Sequence, residues 1–311
     1  MKVATFNVQN LRLRWQDSLP RLDGARDGDL AADLGEGAKR LDSVDRKLTA
    51  KVIRDMDADV VALQEVFDGA SLDHFHDTCL LPVGSPPYHW RYCKPGNDGR
   101  GLDVAMMSRF APQAVQSHAG LTCEDLDLLP VEGLDWDTPI FRRDCLMVCI
   151  RGLTLFICHF KASYPDPETV WPIRHLEAQA VRKVVERYFP IPQLEPWLII
   201  GDLNTPANPP PGKPKALAPL LDGFSVDLLE RLPADDVWSY HNAEIGIYAR
   251  PDAMLASPAL AAEFPDAIPR FVREGMSREA DRYTGARLAE VGDHRPHASD
   301  HAGLVIDFPG L

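Results

Sequence analysis

Along this chain of 311 residues, apolar runs of strand length end again and again on one or two polar residues. Five such segments lie far apart: Val3-Ala4-Thr5-Phe6-Asn7, Val60-Val61-Ala62-Leu63-Gln64-Glu65, Leu155-Phe156-Ile157-Cys158-His159, Leu198-Ile199-Ile200-Gly201-Asp202-Leu203-Asn204, and Ser299-Asp300-His301 leading into Ala302-Gly303-Leu304-Val305-Ile306. Continuous apolar runs of this length predict strands buried in a core, so their polar ends are expected on one rim of a packed sheet. Further strands are expected at 88–93, 104–108, 114–118, 145–151, 153–158, 197–200, 253–256 and 303–308, with Gly152 marking a tight hairpin. Val44, Leu48, Val52 and Met56 fall four apart and predict a helix, with Asp42 or Ser43 as its cap. A second helix is expected over 174–188, with Leu176, Ala180 and Val184 facing inward. Many strands and few helices predict an α+β protein, two sheets face to face with helices outside. No linker, repeat or composition break divides residues 1–311, so one domain is expected. Residues 12–43 and 205–214 read as long loops beside the polar strand ends, where substrate selection commonly sits.

The net charge of −13 narrows the function classes. The average surface would repel nucleic acid and anionic membranes, so a tight, processive nucleic-acid enzyme is disfavoured; a local basic patch would still serve a nuclease. No run of roughly 18 apolar residues occurs, so no membrane-spanning helix is expected. A strand starting at Lys2 leaves no room for a signal peptide. The six cysteines show no C-x-x-C pair, and several lie in apolar runs such as Cys145–Cys149. They read as core thiols in a reducing cytoplasm.

An Asn, a Glu, a His, an Asp-x-Asn and an Asp-His on one rim have the composition of a hard-metal site with its own acid/base groups. Asp202 and Asn204, two apart in an extended segment, would point the same way, one taking a proton from water and the other orienting it. Gly201 before them would let another backbone approach closely. The same residues also suit an Asx-type turn before Pro206. Glu65 ends an apolar run and needs a cation, a donor or solvent, which Mg²⁺ or a surface ion pair would each supply. Asp300 adjoins His301, and Asp252 precedes the run Ala253–Ala256; a carboxylate beside a His favours the cationic ring, which can meet a phosphate. His159, with Lys161 two residues on, is a second phosphate contact candidate. His294 and His297 either add a contact or sit in a solvated loop. Arg12, Arg14 and Trp15 either hold a phosphate backbone and stack a base or pack the rim of the long loop.

The segments Thr-Phe-Asn-Val-Gln-Asn-Leu, Val-Val-Ala-Leu-Gln-Glu-Val, Gly-Leu-Asp-Val-Ala-Met-Met-Ser-Arg, His-Phe-Lys-Ala, Ile-Ile-Gly-Asp-Leu-Asn-Thr-Pro and Ser-Asp-His-Ala, in this order from residue 3 to 308, resemble the endonuclease/exonuclease/phosphatase superfamily. The resemblance implies a four-layer sandwich of two mostly antiparallel sheets flanked by helices, and divalent-metal hydrolysis of a phosphate ester, with Mg²⁺ or Mn²⁺. It makes Glu65 the principal metal ligand, with Asn7 and Asp300. It makes Asp202 the group that positions water, Asn204 its neighbour, His301 the phosphate-binding acid/base oriented by Asp252, and His159 a second phosphate contact. Arg109 and Arg143 lie in family-like stretches and read as structural. The chain departs from the pattern at Gln9, where many relatives carry an acid, and at Pro251, which replaces an apolar residue before Asp252. The substrate expected first is DNA or RNA. Phospholipids and small phosphorylated molecules come second, although no amphipathic membrane helix supports a lipid. A binding protein that kept the fold is the remaining alternative.

Overall fold

The structure is a computed structural model that describes residues 1–26, 30, 33–205 and 210–311. In chain order it forms β1 (Lys2–Leu11), the hairpin β2 (Leu13–Gln16) and β3 (Leu19–Leu22), helices α1 (Gly35–Lys39) and α2 (Asp42–Met56), β4 (Val60–Val66) and α3 (Gly69–Phe75). There follow β5 (Trp90–Cys93), β6 (Asp103–Ser108), β7 (Ala114–Gln116), α4 (Cys123–Leu126), β8 (Cys145–Ile150), β9 (Leu153–His159) and the long helix α5 (Pro167–Tyr188). The last part holds β10 (Trp197–Asp202), α6 (Ala218–Leu221), β11 (Val226–Asp227), the hairpin β12 (Tyr240–Asn242) and β13 (Ile247–Ala249), β14 (Asp252–Ala256), α7 (Pro258–Glu263), β15 (Arg270–Val272) and β16 (Gly303–Asp307).

Two six-stranded sheets form, in the orders β15-β16-β1-β4-β6-β5 and β11-β14-β10-β9-β8-β7. Each holds one parallel pair, β1 with β4 and β9 with β10, among antiparallel neighbours. Alternation along each strand divides the core in three. Val3, Val60, Ile157, Ile200 and Met254 meet between the sheets. Phe6, Leu63 and Met107 pack outward with Leu48, Val52 and Ile53 of α2, and Phe156, Ile199 and Leu255 pack with Leu176, Val181 and Val184 of α5. Central strands buried on both faces are why they read as unbroken apolar runs. The expected four-layer α+β sandwich is the observed one.

The departures are local. Residues 12–43 are not wholly a loop: β2 and β3 pair through a two-residue turn at Asp17 and Ser18, both left-handed (φ +50° and +62°). A turn with no glycine gives little sequence signal. Helix α5 starts seven residues before the expected 174, at Pro167, where Asp166 caps the amides of Glu168 and Thr169. It runs through Pro172, which forgoes one backbone hydrogen bond within a long, well-packed helix. Asp42 is the first residue of α2, whose cap position is Leu41 with no side-chain cap. The hairpin at Gly152 forms as expected, with Arg151 and Gly152 both left-handed. All six cysteines are free thiols. Among the described residues no helix is long and apolar enough to cross a membrane.

Gly201 shows the close approach expected of it. Its φ is +136°, and a Cβ there would overlap the backbone carbonyl oxygen of Cys158 on β9. Because the obstacle is backbone, Gly201→Ala should destabilise the fold by about 3 kcal/mol. Chemical denaturation measures this, and a loss under about 1 kcal/mol would show that the two strands separate freely.

Candidate active site

The site sits where the inter-sheet core runs out. The register places His159, Asp202 and Asp252 opposite one another on β9, β10 and β14, so all three share a face. Asp202 follows Leu198 and Ile200 on the inner face, both of which fill the inter-sheet core. On the other sheet Asn7 and Gln64 are cross-strand partners at the same rim, and Thr5 Oγ1 donates to Gln64 Oε1 (3.1 Å). Glu65 would alternate outward, but it is a bulge: Gln64 pairs with Val104 and Val66 with Asp103, leaving Glu65 as the extra residue. Its left-handed backbone (φ +65°) re-aims the side chain toward Asn7.

The Asn7 amide links the two sheets, donating to Asp202 Oδ2 (3.0 Å) and Glu65 Oε1 (3.3 Å). The other Glu65 oxygen accepts from the Asn10 N–H (3.0 Å). Asp202 Oδ2 lies 3.7 Å from His159 Nε2 and 3.8 Å from His301 Nε2. His301 Nδ1 donates to Asp252 Oδ2 (2.8 Å), which also accepts from Ser239 Oγ (2.6 Å). Asp300 is held by its N–H on Gln9 Oε1 (3.1 Å), and the Ser299 hydroxyl donates to the Asn7 carbonyl (2.7 Å). The expected residues therefore meet, with one difference. The chain leaves the extended conformation after Asp202, so Asn204 (φ +48°) does not stand parallel to it. Asn204 instead donates its N–H to Asp202 Oδ1 (2.9 Å) and its amide to the Phe160 carbonyl (3.1 Å), so the Asx-type turn and the rim carboxylate occur together.

Burial and neighbours split the protonation states. Burial pulls the His301 pKa down, but the charge and hydrogen bond of Asp252, then Asp300 and Asp202, outweigh it and raise it to about 10. Burial drives His159 well below its usual value, with Arg143, His301 and Arg100 adding to that, so its ring is neutral. Burial raises Asp202 to about 6, Asp252 adding to the rise while His301 and the Asn7 and Asn204 bonds oppose it. One cationic imidazole, one neutral imidazole and one carboxylate able to exchange a proton near neutrality thus share a buried space.

Left-handed non-glycine backbone concentrates here. Gln9 (φ +47°), Asn10 (+60°), Glu65 (+65°) and Asn204 (+48°) all lie on this rim. Such conformations persist only where surroundings over-determine them. Arg46, wholly buried, supplies part of that: it donates to the carbonyls of Val8 and Gln9 (2.6 Å each) and of Asp23 (2.5 Å). The stretch 293–297 is not a solvated loop. His297 is buried, with Nε2 3.0 Å from Gln9 Oε1, and Arg295 pairs with Asp42 (3.0 Å) and Asp45. Gln9 thus ties Asp300 to His297. Arg109 pairs with Asp57 (3.0 Å), and Arg143 with Asp98 (3.0 Å) and the Phe160 carbonyl (3.0 Å). Ser239, Tyr240 and Arg46 had no signal in the sequence pattern; Tyr240 sets its ring 4.9 Å from that of His301.

The donor set fits a hard divalent cation. Glu65 and Asp300 bring carboxylates to this rim, and oxygen donors are what Mg²⁺ takes; Asn7 turns its Nδ2 to Glu65 and Asp202 and its Oδ1 to the Gln9 N–H (3.0 Å), while Asp300 Oδ1 accepts from Ser299 Oγ (3.2 Å). Asp202, Asp252 and His301 also form a group of possible ligands with ligating atoms within 4.8 Å of one another. In that group His301 Nδ1 is engaged by Asp252 and the ring is cationic, which suits proton handling better than ligation.

A family model described as Endonuclease/Exonuclease/phosphatase family matches residues 4–301, and the chain belongs to that family. Among solved structures, the chain is similar to an endonuclease/exonuclease/phosphatase family protein from Leptotrichia buccalis C-1013-b (15% identity, 99% of this chain and 98% of that one, TM-score 0.57). It is also similar to an AP endonuclease from Archaeoglobus fulgidus (16%, 99% and 99%, 0.57) and to a mannosyl-6-phosphatase from Bacteroides thetaiotaomicron VPI-5482 (14%, 99% and 98%, 0.56). At these identities the likeness is one of fold. Among curated proteins none matches.

The His301–Asp252 pair is testable directly. A raised histidine pKa means the charge is present through neutral pH and lost as pH climbs through about 10. In ¹⁵N NMR the His301 ring should be doubly protonated at pH 8, and Asp252→Asn should release that proton near neutrality. A neutral wild-type ring at pH 8 would show that Asp252 does not hold it as a cation.

Proposed function

We propose that the chain is a divalent-metal-dependent phosphoric ester hydrolase acting on phosphodiesters, with a nuclease as the first reading. The observation that carries the reaction class is the juxtaposition of Asp202 with cationic His301 on one side and the Asn7–Glu65 pair on the other. Glu65, Asn7 and Asp300 would hold Mg²⁺ or Mn²⁺, which when bound polarises a phosphoryl oxygen and offsets charge on the leaving group. Asp202, basic enough to accept a proton near neutrality, aligns water for in-line attack, and the Asn204 N–H fixes its second oxygen. The His301 imidazolium, oriented by Asp252, stabilises charge growing on the phosphoryl group. His159, neutral and buried, offers a hydrogen bond to another phosphoryl oxygen.

A groove of about 1020 Å³ beside the β2–β3 hairpin favours the nuclease. Its lining mixes the carboxylates Asp23, Glu36 and Asp42 with a larger number of cations and the exposed Trp15; Arg14 pairs with Asp23 and Lys47 with Glu290, while Arg21 and Arg40 make no ion pair among the described residues. On a chain of net charge −13, that is where an anionic strand would be accepted. The same net charge supports the second reading, a small phosphorylated substrate.

Purified protein with Mg²⁺ should nick supercoiled plasmid and hydrolyse bis-p-nitrophenyl phosphate, and chelator should stop both. Asp202→Asn and His301→Ala should each lower kcat by on the order of 10²–10⁴. A loss below about tenfold would remove the acid/base assignment. Diester cleavage without nicking would select the small-substrate reading.

A further inference from the structure

A small cavity opens beside the site, between Asp300 and Tyr240 on one side and His241, His294 and His297 on the other. It is tied to the chemistry by backbone: the His241 N–H donates to the Asp300 carbonyl (3.2 Å), and Tyr240 bridges to His301 as a β-partner. Two of its three imidazoles are already committed. His294 lies between Glu279 Oε2 (3.0 Å) and Asp33 Oδ1 (3.2 Å), and His297 between Gln9 Oε1 (3.0 Å) and the His294 carbonyl (2.8 Å). His241 is different. It is 7% exposed and lines the cavity, its ring packs against Tyr248 (4.6 Å), and its ring nitrogens meet no hydrogen-bond partner among the described residues. Neither nitrogen is sealed from the cavity, so the ring is free to bond whatever fills it, water or a ligand atom.

Size and charge say which kind. The cavity has about 40 Å³ of free space, room for on the order of three water-sized groups and too little for a nucleobase. Its lining carries Asp33, Glu244 and Asp300 and, among the described residues, no Lys or Arg. A second phosphate would meet these carboxylates with no lysine or arginine in the lining, and Arg295 behind it is already engaged by Asp33 (3.6 Å), Asp42 and Asp45. A hydroxyl both donates and accepts, which suits an imidazole facing carboxylates. We propose that this cavity receives a hydroxyl-bearing arm of the substrate alcohol, a sugar or polyol next to the scissile phosphate, with His241 hydrogen-bonded to one hydroxyl. The proposal rests on the reading of the adjoining site as one for phosphate esters and names the substrate feature it selects.

Glyceryl p-nitrophenyl phosphate and propyl p-nitrophenyl phosphate differ only in two hydroxyls. The Mg²⁺-loaded full chain should prefer the glyceryl ester by about tenfold, mainly through KM, the effect of about 1.4 kcal/mol. His241→Phe should bring that ratio below about twofold, and His241→Gln should restore part of it. Equal KM values in the wild type, which needs no variant to fold, or a ratio unchanged in His241→Phe, would overturn the proposal. Calorimetric binding of glycerol phosphate against propyl phosphate requires no turnover. A preference that disappears in His241→Phe while neither diester is cleaved would retire the diesterase reading and uphold the subsite; no preference would overturn the subsite.

Discussion

Strand direction at the centre of each sheet governs everything else in this molecule. In an otherwise antiparallel sheet, one parallel pair puts two strand C-termini on the same rim. Here β1 and β4 deliver Asn7 and Gln64-Glu65, and β9 and β10 deliver His159 and Asp202. The antiparallel neighbours β16 and β14 begin where those strands end, which brings His301, just before Gly303, and Asp252 to the same level. With fully antiparallel sheets half of these residues would lie at the opposite end of the sandwich. The chemistry is therefore assembled by topology, and the side chains need only the right parity along each strand.

The same rim concentrates cost. Four left-handed non-glycine residues, a buried carboxylate and a buried guanidinium all lie within it. Each is stabilised by a partner from a distant part of the chain. Arg46 of α2 satisfies the carbonyls at the strained end of β1, Asp45 accepts the His297 N–H (3.1 Å), and Gln9 accepts the Asp300 N–H. The outer helix layer thus braces the candidate site as well as covering a sheet.

That division explains what was legible in the sequence. Residues acting through strand parity, such as Asn7, His159, Asp202 and Asp252, could be read because each follows or opens an apolar run. Glu65 was visible as the polar end of β4, but its direction came from a bulge that alternation does not announce. Extended backbone would set Asn204 parallel to Asp202; the left-handed turn there gives it Asp202 Oδ1 as a partner instead. Arg46, Ser239 and Tyr240 act through contacts distant along the chain, and a pattern read locally has no access to those. The β2–β3 hairpin escaped because Asp17 and Ser18 make its turn without glycine. The first turns of α5 precede Pro172, a residue that locally disfavours a helix interior, and only packing holds the helix through it.

The Asn7–Asp202 hydrogen bond has one end in each sheet. Its length is therefore a gauge of how the two sheets seat on one another, and nothing within either sheet can correct it. A truncation deep between them, at Ile157 or Met254 for instance, would let the layers settle at a slightly different spacing while every strand pairing survived. Catalysis would then fade in a protein whose secondary structure looks whole, so warming or mild denaturant should extinguish turnover before it melts the fold.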